Sequence, residues 1–217
     1  MLVQIVLFDH FDPLDVIAPF EVLCAGADAS SNAFDVRLVS AEGPRRVVGG
    51  TRGLALEASA KLDPTIPGVI IVPGASGPIA ADPDRVDTIP VLLARVGGTE
   101  LPALIAQAFM NPEVTIATVC GGSLALAMAG LLEGRHVVTH EQGMDVLAAT
   151  GAIAIDARVV DDGDLVTAGG VTSGLDLGLH VLERLVGPRV ARDVERLFQY
   201  ERRGMVWRPL GIEPVAV

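Results

Sequence analysis

Short stretches that are almost continuously apolar and β-branched recur along the chain, each bounded by turn residues. Leu2–Phe8, Gly68–Val72 and Val114–Val119 have this pattern, which predicts strands buried on both faces. Phe34–Ser40 reads as a further strand, and Arg45–Ala58 alternates irregularly enough for one or two short ones. Val137–Thr139 predicts a short strand. Arg158–Val160 and Leu165–Thr167 flank Asp161-Asp162-Gly163-Asp164, a hairpin turn signal.

Helical spacing fills the intervals. Asp9–Asp15 reads as a loop, followed by a helix over Val16–Ala25 with Pro19 near its start. Asp84–Val96 has apolar residues at Val86, Ile89, Leu92, Leu93 and Val96, and Glu100–Met110 predicts a second short helix. Gly121–Leu132 is small and apolar throughout, the pattern of a helix packed on most sides, with Gly134 just past its end. Glu141–Thr150, Thr172–Leu185 and Pro188–Tyr200 complete the helices. Alternation of strand and helix from end to end predicts one α/β domain over residues 1–200 with a largely parallel sheet. Residues 201–217 read as a C-terminal arm over the surface or at a subunit interface.

Composition narrows the function. Lys and Arg total 16 against 27 Asp and Glu, a net charge of −11 that argues against nucleic acid as a partner. No apolar run is long enough for a membrane span, and the N-terminal stretch reads as a strand rather than a signal peptide. Cys24 and Cys120 are too few for a disulfide framework, so a reducing, cytoplasmic setting is expected. There is no Cys/His metal spacing and no phosphate-binding glycine loop.

In a parallel α/β sheet, ligands sit beyond the carboxyl ends of the strands. That directs attention to Asp9–Asp15, Pro73–Gly77, Cys120–Ser123 and His140. Cys120 follows a strand, precedes a helix and is succeeded by Gly121-Gly122, as a nucleophile elbow requires, because the strained turn tolerates only small neighbours. The helix N-terminus there is expected to favour the thiolate. The backbone N–H groups of the Pro73–Gly77 turn could complete an oxyanion hole with those of the elbow. Asp12, Asp15 and Glu21 cluster around the first helix. Spacing does not choose among them, since an N-cap carboxylate and a buried general acid/base have the same sequence signature. His140 is equally a helix cap or a catalytic residue.

Four stretches carry a resemblance to a known family: Leu14–Leu23, Ile71–Gly77, Val119–Leu132 with Val138-Thr139-His140, and Gly169–Leu177. Together they resemble the ThiJ/PfpI superfamily, and within it the isocyanide (isonitrile) hydratase branch, over Leu2 to about Tyr200. The resemblance implies a class I glutamine amidotransferase-like, flavodoxin-like three-layer sandwich. It also implies Cys120 as nucleophile, Asp15 as its acid/base partner, and the backbone amides near Ala75 and Gly121 as anion stabilisers. A small-molecule substrate, a homodimer and no cofactor or metal follow from the same likeness. So do the alternatives of a glyoxalase-, amidase- or peptidase-like reaction, or a ligand or redox sensor related to the N-terminal domain of AraC-type regulators. Such regulators add a DNA-binding module, whereas only Glu201–Val217 follows Tyr200 here. The chain departs from the branch at Gly121, commonly a Thr, and in a longer stretch over Gly97–Asn111.

Overall fold

The computed structural model describes residues 1–78 and 87–212. In chain order the elements are β1 (Leu2–Val6), α1 (Pro13–Ala29), β2 (Asp35–Ser40), β3 (Arg45–Val48), β4 (Ala55–Ala58), β5 (Ala60–Lys61) and β6 (Gly68–Val72). Then come α2 (Ile89–Val96), α3 (Leu101–Phe109), β7 (Val114–Val119), α4 (Gly122–Met128), β8 (His136–Val137), α5 (Met144–Ala149), β9 (Ile153–Ala154), β10 (Val159–Asp161) and β11 (Leu165–Ala168). The last are α6 (Ser173–Val186), α7 (Pro188–Phe198) and β12 (Val206–Trp207).

Eight strands form one sheet in the order β12-β10-β11-β7-β6-β1-β2-β5. All its pairings are parallel except β10 with β11, the hairpin at Asp161–Leu165. The central strands β1 and β6 are buried at every position, as parallel strands covered on both faces must be. Helices α1, α6 and α7 pack together as one outer layer, while α2, α3 and α4 belong to the other. This is an α/β flavodoxin-like sandwich. Among the described residues no single helix is long and apolar enough to cross a membrane.

The register of β1, β6 and β7 puts three carboxyl ends side by side, since Leu2 pairs with Gly68 and Gly68 with Val114. Their following loops, Leu7–Asp12, Pro73–Gly77 and Cys120–Gly121, therefore meet at one edge. Chain entry into α1 departs from the sequence expectation. The helix begins at Pro13, not Val16, because Asp12 caps it by accepting the Leu14 N–H at 2.9 Å and Pro13 takes the first helical position. Pro19 lies well inside the helix. Asp15 is thereby in the first turn rather than in a loop.

Helix α4 is shorter than its apolar pattern. It stops at Met128 because Gly130 takes a left-handed φ of +78°, with Leu131 N–H donating to the Leu126 carbonyl and Gly130 N–H to that of Ala127. Gly134 is thus not its stop. The Asp84–Val96 helix is observed from Ile89, and its first residues, Asp84–Val86, lie outside the described residues. Val206–Trp207, within the expected arm, pairs with Val159–Val160 as an edge strand.

Candidate active site

Cys120 terminates β7 with a φ of +54°, a left-handed conformation that a non-glycine residue holds only when its surroundings impose it. Here they do so by hydrogen bonds. The Cys120 N–H is shared between the carbonyls of Ala168 and Gly169, both at 3.0 Å, and its carbonyl accepts the Thr139 hydroxyl at 2.8 Å. Ser123 Oγ donates to the Val138 carbonyl at 2.6 Å and ties α4 to the same support. The side chain is left at the sheet edge, 8% exposed.

Asp15 is completely buried. At the third position of a helix, an acid often reaches back to the N-cap N–H, but that donor is taken: Asp12 N–H bonds the Gly74 carbonyl at 2.8 Å. Asp15 turns inward instead, and its Oδ2 accepts the Gly74 N–H at 2.9 Å. Both backbone groups of Gly74 are thus held by the start of α1. Only glycine fits there, since a Cβ at position 74 would lie 2.6 Å from the Gly121 nitrogen and 2.9 Å from Asp15 Oδ2. Asp15 Oδ1 has no hydrogen-bond partner among the described residues.

Burial pushes the Asp15 carboxyl well above the usual carboxylate range, and the nearby Asp12 charge adds to this. The Gly74 amide and the facing Cys120 pull the other way without reversing it. The Cys120 thiol is pushed up to about 12, by burial first and then by the Asp15 carboxylate, against the pull of backbone N–H groups of Gly121 and Val171. This overturns the expected resting thiolate. The helix terminus and the amides do favour an ionised sulfur, but removal from water and a neighbouring carboxylate outweigh them. Two groups that each resist ionisation face one another, so the pair retains a proton and can pass it between sulfur and oxygen.

The turn after β6 is pinned against the loop after β1 by an isolated bridge between Phe11 and Ala75, in which Ser76 N–H donates to the His10 carbonyl at 3.0 Å. Neither the Ala75 nor the Gly121 N–H is consumed by a backbone hydrogen bond among the described residues. Of the remaining sequence candidates, Glu21 is exposed on α1. His140 caps the turn over Glu141–Gly143, its Nδ1 accepting the Gln142 N–H at 3.2 Å while its ring packs on Gly170. His180 is buried against Asp161 at 2.8 Å and His136 lies 3.0 Å from Asp162. Sequence reasoning missed the Val171 N–H, which comes from the loop after β11, a strand end it did not interrogate. A cavity of about 500 Å³ opens beside the elbow between Thr139, Gly169, Gly170, Glu141, Asp156 and Arg158, and its lining includes neither Cys120 nor Asp15.

The chain as a whole has known relatives. The model of the DJ-1/PfpI family matches residues 1–184. The chain belongs to this family. An isonitrile hydratase of Pseudomonas putida is 34% identical over 197 residues, covering 89% of this chain and 76% of the relative. The crystal structure of a ThiJ/PfpI family protein from Pseudomonas syringae superposes with a TM-score of 0.75 at 26% identity, over 94% of this chain and 76% of that one. The transcriptional regulator CdhR of Pseudomonas aeruginosa is 31% identical over 87 residues, which are 39% of this chain and 26% of the regulator. Relatives of this chain thus include an enzyme and a regulator.

Proposed function

We propose that this DJ-1/PfpI member is a cysteine-dependent hydratase that converts isocyanides to N-substituted formamides. The observation that carries the reading is the buried Asp15 carboxyl facing Cys120 with one oxygen unpartnered and its proton affinity raised. The likeness to the isonitrile hydratase supports the substrate class.

The terminal carbon of an isocyanide must gain a nucleophile and a proton. Cys120 Sγ attacks that carbon as the thiol proton passes to Asp15, and Asp15 delivers it to the same carbon, leaving a thioimidate, R–N=CH–S–Cys120. Asp15, again a carboxylate, then takes one proton from water as the oxygen adds to the thioimidate carbon and passes it to the nitrogen; it next takes the proton left on that oxygen. Breaking the C–S bond releases R–NH–CHO and returns the proton to sulfur. Charge developing during addition meets the backbone N–H groups of Gly121, Val171 and Ala75. Isocyanide and water are the only reactants, and Cys120 and Asp15 move every proton in the scheme. A cytoplasmic, homodimeric state belongs to the same proposal.

Incubation with cyclohexyl isocyanide, with the product read by mass spectrometry, is the test. The expected product is N-cyclohexylformamide from the wild type and none from Cys120→Ala. Turnover retained in Cys120→Ala would refute the mechanism. The match to a regulator favours a second reading as a ligand sensor. Saturable binding of isocyanide or another small molecule, with no chemical change at an intact Cys120, would favour that instead.

A further inference from the structure

Gly121 stands where a side chain would ordinarily adjoin the nucleophile, and the structure contains a physical reason for it. A Cβ built on Gly121 would lie 2.8 Å from Leu93 Cδ1 and 3.2 Å from Leu93 Cδ2. Leu93 is 1% exposed, so a side chain at position 121 would displace a buried leucine rather than solvent. Helix α2 also seats Leu92 on the neighbouring turn, with Leu92 Cδ1 at 3.2 Å from the position a Cβ on Gly77 would take. The helix thus closes on both halves of the cradle, the turn after β6 and the elbow after β7. It places hydrocarbon where position 121 would otherwise supply a side chain. Phe11 and Ala75, both buried, are bridged to each other at the same sheet edge.

We propose that Leu93 is a specificity-determining residue that fills the volume of the missing side chain at position 121. It presents a hydrocarbon wall beside the Gly121 N–H, so that the site favours isocyanides with compact apolar N-substituents over bulkier ones such as cyclohexyl. Leu93 and Gly121 form a complementary pair, each setting what the other position tolerates. The substrate class rests on the hydratase reading; the complementarity of the two positions does not.

The test compares wild type, Leu93→Ala, Gly121→Thr and the double variant, each checked for folding by circular dichroism. Leu93→Ala is expected to raise the kcat/KM ratio of cyclohexyl over methyl isocyanide at least about tenfold, on the scale of a hydrophobic pocket gaining room for one or more methylenes. The change should lie mainly in KM. Gly121→Thr alone is expected to lower kcat/KM at least about tenfold, and the same change in the Leu93→Ala background much less, a non-additivity that marks two side chains competing for one space. An unchanged size ratio in folded Leu93→Ala, or additive effects of the two substitutions, would overturn the proposal. If Leu93→Ala does not fold, Leu93→Val must shift the ratio in the same direction, and failure to do so counts equally against it.

Alkylation of Cys120 by iodoacetamide and by N-cyclohexylmaleimide separates this inference from the hydratase reading. Selective acceleration of the bulkier reagent in Leu93→Ala supports Leu93 as the wall even if no isocyanide is hydrated. Equal acceleration of both reagents, or of neither, refutes it whatever the hydration result.

Discussion

At the scale of single residues, Cys120 and Asp15 matter because each alters the other's protonation. Asp15→Asn keeps the shape of the side chain but removes the transferable proton, and is expected to lower kcat/KM for isocyanide about a hundredfold or more, the range of general acid–base loss. Gly74→Ala tests the scaffold of the pair without replacing either member. Its new methyl group would meet the Gly121 nitrogen and Asp15 Oδ2, so hydration should fall at least about tenfold and Tm should drop, measured by kinetics and thermal unfolding on the same sample. The position of Cys120 was legible in the sequence, because a strand, a cysteine, two glycines and a helix follow one another directly. Its resting protonation was not. That depends on the burial of both groups and on a carboxyl a hundred residues away in the chain, which no local pattern encodes. The choice among Asp12, Asp15 and Glu21 was likewise tertiary, decided by which donors remained free around Gly74.

At the scale of elements, α1 places Asp15 only as firmly as it is itself held, and α6 holds it. Gly178 of α6 lies against Val22 and Pro19 so closely that a Cβ there would be 3.1 Å from Val22 Cβ. Gly178→Val is expected to destabilise the fold by about 1–3 kcal/mol through overpacking. It should also reduce hydration more than it reduces Cys120 alkylation, since it displaces Asp15 and leaves the elbow in place. Strands β6 and β7 match their sequence expectation to the residue, because a buried parallel strand is a short apolar run with abrupt polar or glycine ends. Elements whose limits depend on backbone geometry were harder to read. The apolar pattern of α4 runs on through Leu131 and Leu132, and only the left-handed Gly130 ends the helix at Met128. Two-residue strands such as β5, β9 and β12 have too few positions to show any period.

At the scale of the whole molecule, the far side of the sheet is closed by charge. Asp161, at the end of β10, accepts from His180 and Gly163 and pairs with Arg184 and with Arg208 of the C-terminal segment. Burial alone would raise its carboxyl, but these partners outweigh burial and hold it at about 2. A folded-state value below the unfolded one adds stability that is present above about pH 4 and is lost as pH falls toward 2. Acid titration of urea unfolding should therefore show less acid loss in Asp161→Asn than in wild type over that window, with lower stability at neutral pH. The Cys120–Asp15 edge should respond to pH in the opposite sense, since burial raises both of its groups.

The pH dependence of Cys120 alkylation by iodoacetamide, followed by intact mass in wild type and Asp15→Asn, tests the shared proton most directly, because the rate follows the thiolate fraction. The account predicts a wild-type midpoint far above that of an ordinary thiol, at about 12, and a lower midpoint in Asp15→Asn, where the neighbouring negative charge is gone. The same midpoint in both proteins would contradict it.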